Sequence, residues 1–170
     1  MTAIPFRTPE TLPLRHALGD FVTGITVVTA RGADGTLAGL TVNSFASVSL
    51  EPPLVLWSLT LNSPSLAVFE TCTHYAVNIL AEDQCTLSQR FAKKGIDKFA
   101  GIETKVGAGG TALLNGCVAW FECRVESRIE AGDHLIMLGH VEHFRRASSH
   151  PPPLSFHHGK YKAVGDELAP

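Results

Sequence analysis

Hydrophobic positions repeat along this chain with two different periods. Apolar residues spaced three and four apart in Leu14–Phe21, with Gly24 beyond them, predict a short amphipathic helix ended by a glycine. Most of the remaining chain follows a two-residue alternation or short apolar runs, and both patterns predict strands. The predicted strand segments are 25–30, 39–53, 54–59, 75–80, 118–129, 134–144 and a last one ending near Val164.

Turn signals between these segments favour antiparallel neighbours. Ala33–Gly35 and Ala131–Asp133 each join two strand segments as the turn of a hairpin. Pro52–Pro53 ends the strand before it, and the apolar run Leu54–Leu59 is typical of a strand buried on both faces. Lys93–Gly110 is glycine-rich and weakly periodic, which predicts an irregular, mobile flap.

Two further helices are predicted in the middle of the chain. Ser63 and Pro64 suit the N-cap and the first helical position, so a helix begins there. Its free amides are either simply capped or form a seat for an anion. Asp83 predicts the start of a third helix that reaches about Lys94, with Arg90 either solvated or directed inward. Seven or eight strands with two or three short peripheral helices favour a mainly β, antiparallel barrel.

The predicted strand Gly39–Pro53 has two chemically different faces. In an extended conformation one face is largely apolar and carries Leu40, Val42, Ser44, Ala46, Val48 and Leu50. The other face is polar apart from one ring and carries Thr41, Asn43, Phe45, Ser47 and Ser49. Two interpretations stay open at this point. The hydroxyls either bond to backbone inside a buried strand or line a site for a polar ligand.

Length and composition describe one ordinary globular domain. The chain has 170 residues, 45% hydrophobic and 18% charged, with a formal net charge of -2. We expect a domain over 14–164, with an N-terminal extension (1–13) and a C-terminal tail (165–170). The 14 Lys and Arg residues form no dense run, which argues against a nucleic-acid partner. There is no secretory leader pattern or ~20-residue apolar run, so no membrane association and a cytoplasmic location are expected.

Motifs of several catalytic classes are absent from the sequence. Its four cysteines form no Cys-x-x-Cys pair, so no metal site is expected from them, and reduced core thiols are the default. No Gly-x-Gly-x-x-Gly follows a strand, and neither a Gly-x-Ser-x-Gly elbow nor a His-Glu-x-x-His motif occurs. A bound nucleotide would therefore be held without a Rossmann fold.

Several stretches, in this order, resemble signatures of the short-chain flavin reductase family, the reductase component of two-component flavin-dependent monooxygenases. They are Phe21–Thr29, Gly39–Pro53, Asn78–Leu80 with Arg90–Phe91, Gly132–His134 and Phe156–Tyr161. The resemblance implies a Greek-key split β-barrel of the FMN-binding type and a homodimer with flavin near the subunit interface. It also implies reduction of FMN or FAD by NADH or NADPH, with reduced flavin passing to a separate monooxygenase.

The same resemblance implies roles for individual residues. The flavin ring and ribityl chain would be lined by Thr41, Val42, Asn43, Ser44, Ser47 and Val48. The flavin phosphate end would be held by Ser63, Ser65, Arg90 and Phe91. The nicotinamide nucleotide would meet Gly132, Asp133 and His134, and a closing motif would be formed by Phe156, Gly159 and Tyr161.

His134 is the one titratable residue that we assign to the reaction, as a hydrogen-bond partner of the nucleotide or a shield of the nicotinamide. The alternative is a histidine at a strand start that merely bonds Asp133. The Asn62–Ser65 segment lacks the Lys or Arg that many relatives carry there, so helix amides and Arg90 would carry the phosphate. Phe156 stands where a tyrosine is frequent, which keeps a stacking surface without its hydroxyl.

Two other functions remain open for the same barrel. A flavin-storing or flavin-sensing protein would bind flavin without turnover. A carrier of apolar small molecules would need an apolar lining, which the polar face of Gly39–Pro53 does not provide. No cluster of Lys or Arg is placed to bind a 2′-phosphate, which favours NADH over NADPH.

Overall fold

The computed structural model describes residues 10–166, a range that contains three helices and twelve strands. The predicted extension 1–13 and tail 165–170 lie largely outside it, because residues 1–9 and 167–170 are not described. The helices are α1 (Thr11–Leu18), α2 (Leu66–Thr71) and α3 (Cys85–Ala92). The strands are β1 (Thr23–Gly24), β2 (Thr26–Arg31), β3 (Leu37–Val42), β4 (Ala46–Leu50), β5 (Pro53–Thr60), β6 (His74–Ile79), β7 (Thr104–Val106), β8 (Ala112–Leu114), β9 (Ala119–Ala131), β10 (His134–Arg146), β11 (Ser155–His157) and β12 (Lys160–Lys162).

Seven of these strands form one antiparallel sheet in the order β3-β2-β6-β9-β10-β5-β4. Its two edge strands, β3 and β4, are consecutive in the chain and only residues 43–45 separate them. The sheet must therefore curl until its edges approach each other. Within residues 10–166 no hydrogen-bonded ladder joins β3 to β4, so the barrel stays split along this seam. The predicted mainly β, antiparallel fold with a few short helices is confirmed.

The stretch Gly39–Pro53 is not one strand, and that prediction is wrong. The chain bends at residues 43–45 between β3 and β4, and a bulge between Ser47 and Ser49 shifts the register again. The alternation of faces cannot continue across these breaks. Val48 and Leu50, which the alternation places on the largely apolar face, are 49% and 94% exposed.

One other strand prediction also needs correction. Strand β5 is buried on one face only, through Val55, Trp57 and Leu59, while the residues between them are half-buried. On β9, Trp120 is buried, and its indole N–H donates to the Leu114 carbonyl oxygen at 2.7 Å. The predicted turns at 33–35 and 131–133 and the hairpins around them are confirmed.

Helix α1 begins and ends three residues before its predicted bounds. Gly19 follows it in place of Gly24, which lies in β1. No residue of α1 is buried within the described chain, so its apolar positions lack a partner there. This exposed surface continues through Phe21 and Val22, which are 76% and 55% exposed.

Helices α2 and α3 form where the sequence predicts them, with different caps. Helix α2 starts at Leu66 because the Ser63 hydroxyl accepts a hydrogen bond from the Ser65 N–H and forms a turn before the helix. A 3₁₀ turn over Glu82–Gln84 precedes α3. In that turn the Gln84 side-chain oxygen accepts from the Ala81 N–H, so Asp83 is not the cap.

The buried core has two parts, one inside the barrel and one under α3. The barrel interior is built around Trp57, Phe69 and Tyr75, whose rings meet edge to face. Gly139 is required beside them, because a Cβ atom there would lie 2.1 Å from the Tyr75 hydroxyl oxygen. The second part packs Phe91 and its neighbours against the sheet. The four cysteines are free, as predicted, and three of them are buried.

Candidate functional site

The bend at residues 43–45 places polar groups at one end of the barrel. Asn43 is exposed there. The Ser44 hydroxyl accepts a hydrogen bond from the Ser58 N–H at 2.9 Å and donates one to the Ser58 carbonyl oxygen. Ser58 lies two residues before Thr60, which pairs with His134. The bend and the start of β10 therefore share this end of the barrel.

The C-terminal strands β11 and β12 form a second wall beside the bend. They are joined by a two-residue turn, His158–Gly159, in which both residues have positive φ angles of 48° and 72°. Strand β11 also pairs with β1, so Thr23 lies opposite Phe156. A cavity of about 500 Å³, the hairpin cavity, opens between these elements and α1. Its lining includes Phe21, Thr23, Asn43, Phe156 and Gly159.

Thr23 is the lining residue that points most directly to a ligand. Its hydroxyl oxygen is buried and has no hydrogen-bond partner among the described residues, 10–166. A buried hydroxyl without a partner costs about 1–3 kcal/mol, so such groups normally bond something. The hairpin cavity thus offers an unsatisfied hydroxyl, an exposed amide and aromatic faces to a bound molecule. Sequence reasoning assigned no role to Thr23, although it lies within the resembling stretch Phe21–Thr29.

Tyr161 and Thr41 are both tied to Ser88, a residue of α3 that sequence reasoning also missed. The Tyr161 and Ser88 hydroxyls lie 2.9 Å apart, and the Thr41 hydroxyl donates to the Ser88 carbonyl oxygen at 2.6 Å. Ser88 is fully buried. Its position three residues before Phe91 on the apolar face of α3 was the available signal. These bonds fix β12 and the end of β3 against α3.

Several predicted flavin-lining side chains have other partners or other places. The hydroxyls of Thr41 and Ser44 already donate to backbone, which is the buried-strand interpretation for these two residues. Val42 is buried, so only its backbone could meet a ligand. Ser47 and Val48 are exposed on β4 and line neither the hairpin cavity nor the second cavity described below.

The predicted flap after α3 is held by Arg90. Its guanidinium donates to the carbonyl oxygens of Asp97, Lys98 and Ala100. The Lys98 amine in turn donates to the carbonyl oxygens of Gly39 and Phe91 at 2.9 and 2.8 Å. Burial lowers the pKa of this amine. Arg90 therefore organises the segment 93–103 and joins it, through Lys98, to β3.

A second cavity of about 250 Å³, the loop cavity, lies between this segment, β3 and the start of α2. Its lining includes Gly39, Ser65, Lys94 and Lys98. Lys94 is exposed, and no hydrogen bond or ion pair holds its ammonium group within residues 10–166, so it supplies the cation that Asn62–Ser65 lacks in sequence. Sequence reasoning missed it, although the Lys93–Lys94 pair directly follows α3. Ser63 stands beside this cavity with its hydroxyl bonded to the Ser65 N–H.

Phe91 does not fit the contact implied for it. Its ring is fully buried and packs edge to face on Phe99 at 5.1 Å. A Cβ atom on Gly39 would lie 2.6 Å from the same ring. Phe91 is therefore a core residue that sets the spacing between α3 and β3. The ligand contact that the resemblance implies for it is wrong.

The turn Gly132–His134 joins the long strands β9 and β10. The His134 Nδ1 and an Asp133 carboxylate oxygen lie 2.7 Å apart, so the bond predicted by the alternative reading is present. This hydrogen bond lowers the pKa of Asp133, which is exposed. An ionised carboxylate only accepts, so Nδ1 is the donor of this hydrogen bond and Nε2 is left for another partner. His134 lines neither the hairpin cavity nor the loop cavity.

No helix within residues 10–166 is long and apolar enough to cross a membrane.

The sequence is similar to that of known flavin reductases and to a family of flavin reductase-like domains. The sequence profile of the family described as "Flavin reductase like domain" matches residues 18–165. The chain is 44% identical over 147 residues to an FMN reductase (NADH) of Agrobacterium fabrum, covering 86% of this chain and 82% of that protein. It is 43% identical over 148 residues to the reductase component of a flavin-dependent trigonelline monooxygenase of Acinetobacter baylyi, covering 87% of this chain but only 47% of that protein.

A solved structure shows the same fold. An NADH:FAD oxidoreductase of Streptomyces globisporus in complex with NAD and FAD fragments superposes with a TM-score of 0.85 at 34% identity. The match covers 92% of this chain and 93% of that one.

Proposed function

The chain belongs to the flavin reductase-like domain family, and we propose that it reduces FMN or FAD with NADH and releases the reduced flavin to a separate monooxygenase component. The observation that carries the proposal in this chain is the hairpin cavity. The partnerless Thr23 hydroxyl, the exposed Asn43 amide and the Phe156 ring converge there. Its volume, about 500 Å³, lies within the range of small-molecule sites.

The two cavities suit the two ends of an elongated flavin nucleotide. Strand β3 runs from Gly39 in the loop cavity to the bend at Asn43 in the hairpin cavity. Four residues of extended chain span about 13 Å. In the proposal the hairpin cavity takes the ring system, and the loop cavity takes the phosphate end. Lys94 and the Ser65 hydroxyl would meet the phosphate there, and Arg90 would act by holding the loop in place.

The hydride chemistry belongs to the two nucleotides, since nicotinamide donates a hydride that flavin accepts. The protein has to hold the nicotinamide and flavin rings against each other in the reactive orientation and to exclude water. Phe21 and Phe156 offer aromatic faces, and the Thr23 hydroxyl and Asn43 amide offer polar contacts that fix orientation.

For His134 we propose a positioning role towards the nicotinamide nucleotide. Asp133 orients the ring and keeps the proton on Nδ1, so Nε2 is available to accept an N–H or O–H of the nucleotide. Gly132 has a φ of 63°, so it makes the tight turn that presents this pair. His134 transfers no proton in this proposal.

A homodimer would cover the exposed apolar surface of α1 and the residues after it. Leu12, Leu18 and Phe21 are 62%, 68% and 76% exposed, and α1 has no buried residue in the described chain. Patches of this kind mark contact surfaces. Since Leu18 and Phe21 also line the hairpin cavity, a second copy docked there would close that cavity.

The proposal is tested by steady-state NADH oxidation with FMN, FAD or riboflavin and a control without flavin. Thr23→Val is the informative variant, because it keeps the shape of the side chain and removes only the partnerless hydroxyl. Loss of one ligand hydrogen bond predicts a Michaelis constant about 2- to 12-fold higher, with no loss of folding stability. Thr104→Val, at an exposed threonine of β7, is the matched control.

Flavin-dependent turnover that weakens in Thr23→Val and not in Thr104→Val would support the proposal. Flavin binding without NADH oxidation would instead favour the storage or sensing function. Equal kinetics of both variants and the parent chain would remove the hairpin cavity from the site.

A further inference from the structure

Three side chains that can ligate a metal ion meet where the end of α1 approaches the β11–β12 hairpin. They are Asp20, His157 and His158, and their ligand atoms all lie within 4.8 Å of one another. The His158 Nε2 is 2.9 Å from an Asp20 carboxylate oxygen. The two imidazole rings stand 4.1 Å apart at 73°. His157 and His158 also line the hairpin cavity, but the proposed reductase function gives none of the three side chains a role.

The backbone holds these ligands in place on both sides. His158 lies in the two-residue turn closed by the pair His157 and Lys160, with a φ of 48°. Its N–H donates to the carbonyl oxygen of Gly19, the residue before Asp20. The hairpin and the α1 end are therefore already joined next to the cluster, whose three ligand atoms lie within 4.8 Å of one another.

The chemistry of the donor set selects the class of ion. Two imidazoles and one carboxylate suit Zn²⁺ and related divalent transition metals, while Mg²⁺ and Ca²⁺ prefer all-oxygen sites. Histidines that bind a metal ion are neutral, so Asp20 would be the one negatively charged ligand of the divalent cation. Asp20 and His158 are exposed and His157 is half-buried, so water can complete the coordination.

We infer that Asp20, His157 and His158 form a binding site for one zinc-class divalent ion at the rim of the hairpin cavity. An ion there would bridge the segment after α1 to the hairpin that carries Phe156 and Gly159. It would replace a single side-chain contact by bonds from three ligands and restrain the hairpin relative to α1. The inference does not depend on the flavin reductase activity.

The test is a calorimetric titration of the full chain, freed of metal and of any polyhistidine tag, with ZnCl₂. One Zn²⁺ per chain is expected. Asp20→Asn and His158→Ala should each lower the affinity at least about 10-fold, because each removes one of three protein ligands. His150→Ala, at an exposed histidine outside the cluster, is the matched control and should leave the affinity unchanged.

Two further readouts separate a built site from scattered surface binding. Co²⁺ should give a visible absorption band in the parent chain that is lost in Asp20→Asn. Zn²⁺ should also raise the thermal midpoint of the parent chain and not that of Asp20→Asn, since a ligand of the folded state stabilises it. Unchanged affinity in both cluster variants, equal weakening in His150→Ala, or no stoichiometric binding would overturn the inference.

Discussion

Replacing Arg90 by alanine is expected to destabilise the folded chain before any flavin is added. The guanidinium donates to three carbonyl oxygens of the segment 93–103, one of them in a half-buried bond and two in exposed ones. A hydrogen bond to a charged group contributes about 1.5–3 kcal/mol when shielded, and exposed bonds contribute less. We assign about 1.5 kcal/mol to the half-buried hydrogen bond and about 0.5 kcal/mol to each exposed one. Arg90→Ala should therefore lower the free energy of unfolding by about 2–3 kcal/mol.

Urea unfolding of the flavin-free protein measures this loss. For a chain of this size, a loss of about 2–3 kcal/mol lowers the thermal midpoint by about 4–12 °C. Hydrogen exchange should accelerate at Phe99 and Ala100, because the loop that contains them loses its anchor. Gln89→Ala, at the exposed neighbouring position on α3, is the control and should change stability by less than about 0.5 kcal/mol.

Arg90→Lys distinguishes this structural role from a direct charge on the flavin phosphate. A lysine keeps the charge but cannot reach three separate carbonyl oxygens with a planar fork. We therefore expect Arg90→Lys to be destabilised almost as much as Arg90→Ala. If Arg90→Ala were as stable as the parent chain and lost affinity only for phosphorylated flavins, with rescue by lysine, the reasoning would be refuted.

Lys94→Ala should raise the Michaelis constant for FMN about 3- to 10-fold and leave that for riboflavin unchanged, because only FMN carries a phosphate. The control variant Lys93→Ala should change neither Michaelis constant. Equal effects of Lys94→Ala on both flavins would contradict a phosphate contact. His134→Ala should raise the Michaelis constant for NADH with little change in flavin affinity, and unchanged NADH kinetics would remove His134 from the site. Burial raises the pKa of the Cys123 thiol from its usual 9.0 to about 12, so its stabilising contribution is complete below pH 9 and is lost as the pH rises towards 12. The free energy of unfolding should therefore fall by up to about 1.4 kcal/mol per pH unit for this thiol, and Cys123→Ala should show a shallower decline in alkaline urea titrations.

Alternation and turn chemistry were sufficient for most strands and for the two hairpins at 33–35 and 131–133. They failed where the chain changes direction without a strong turn residue. The bend at 43–45 contains neither glycine nor proline, and its Asn43–Ser44 pair is a weaker turn signal. Barrel curvature produces the bend, because β3 and β4 must lie on opposite edges of the same sheet.

For the site, the sequence identified the segments that form its walls but not the partners of their side chains. Resembling motifs identified the walls that contain Asn43, Phe156 and Gly159, which line one cavity. They could not show that the Thr41 and Ser44 hydroxyls are used internally, because that depends on Ser88 and Ser58, which are distant in sequence. Nor could they reveal Lys94, since its place beside Ser65 depends on how Arg90 folds the segment after α3.

The central claim is that this chain brings NADH and flavin together for hydride transfer. The most direct measurement is anaerobic rapid mixing of the protein with NADH and FMN, following the loss of the visible absorbance of oxidised flavin. The account predicts flavin reduction far faster than in the protein-free mixture, slowed in Thr23→Val and unaffected in Thr104→Val. Flavin reduction no faster than in the protein-free mixture, with flavin demonstrably bound, would contradict it.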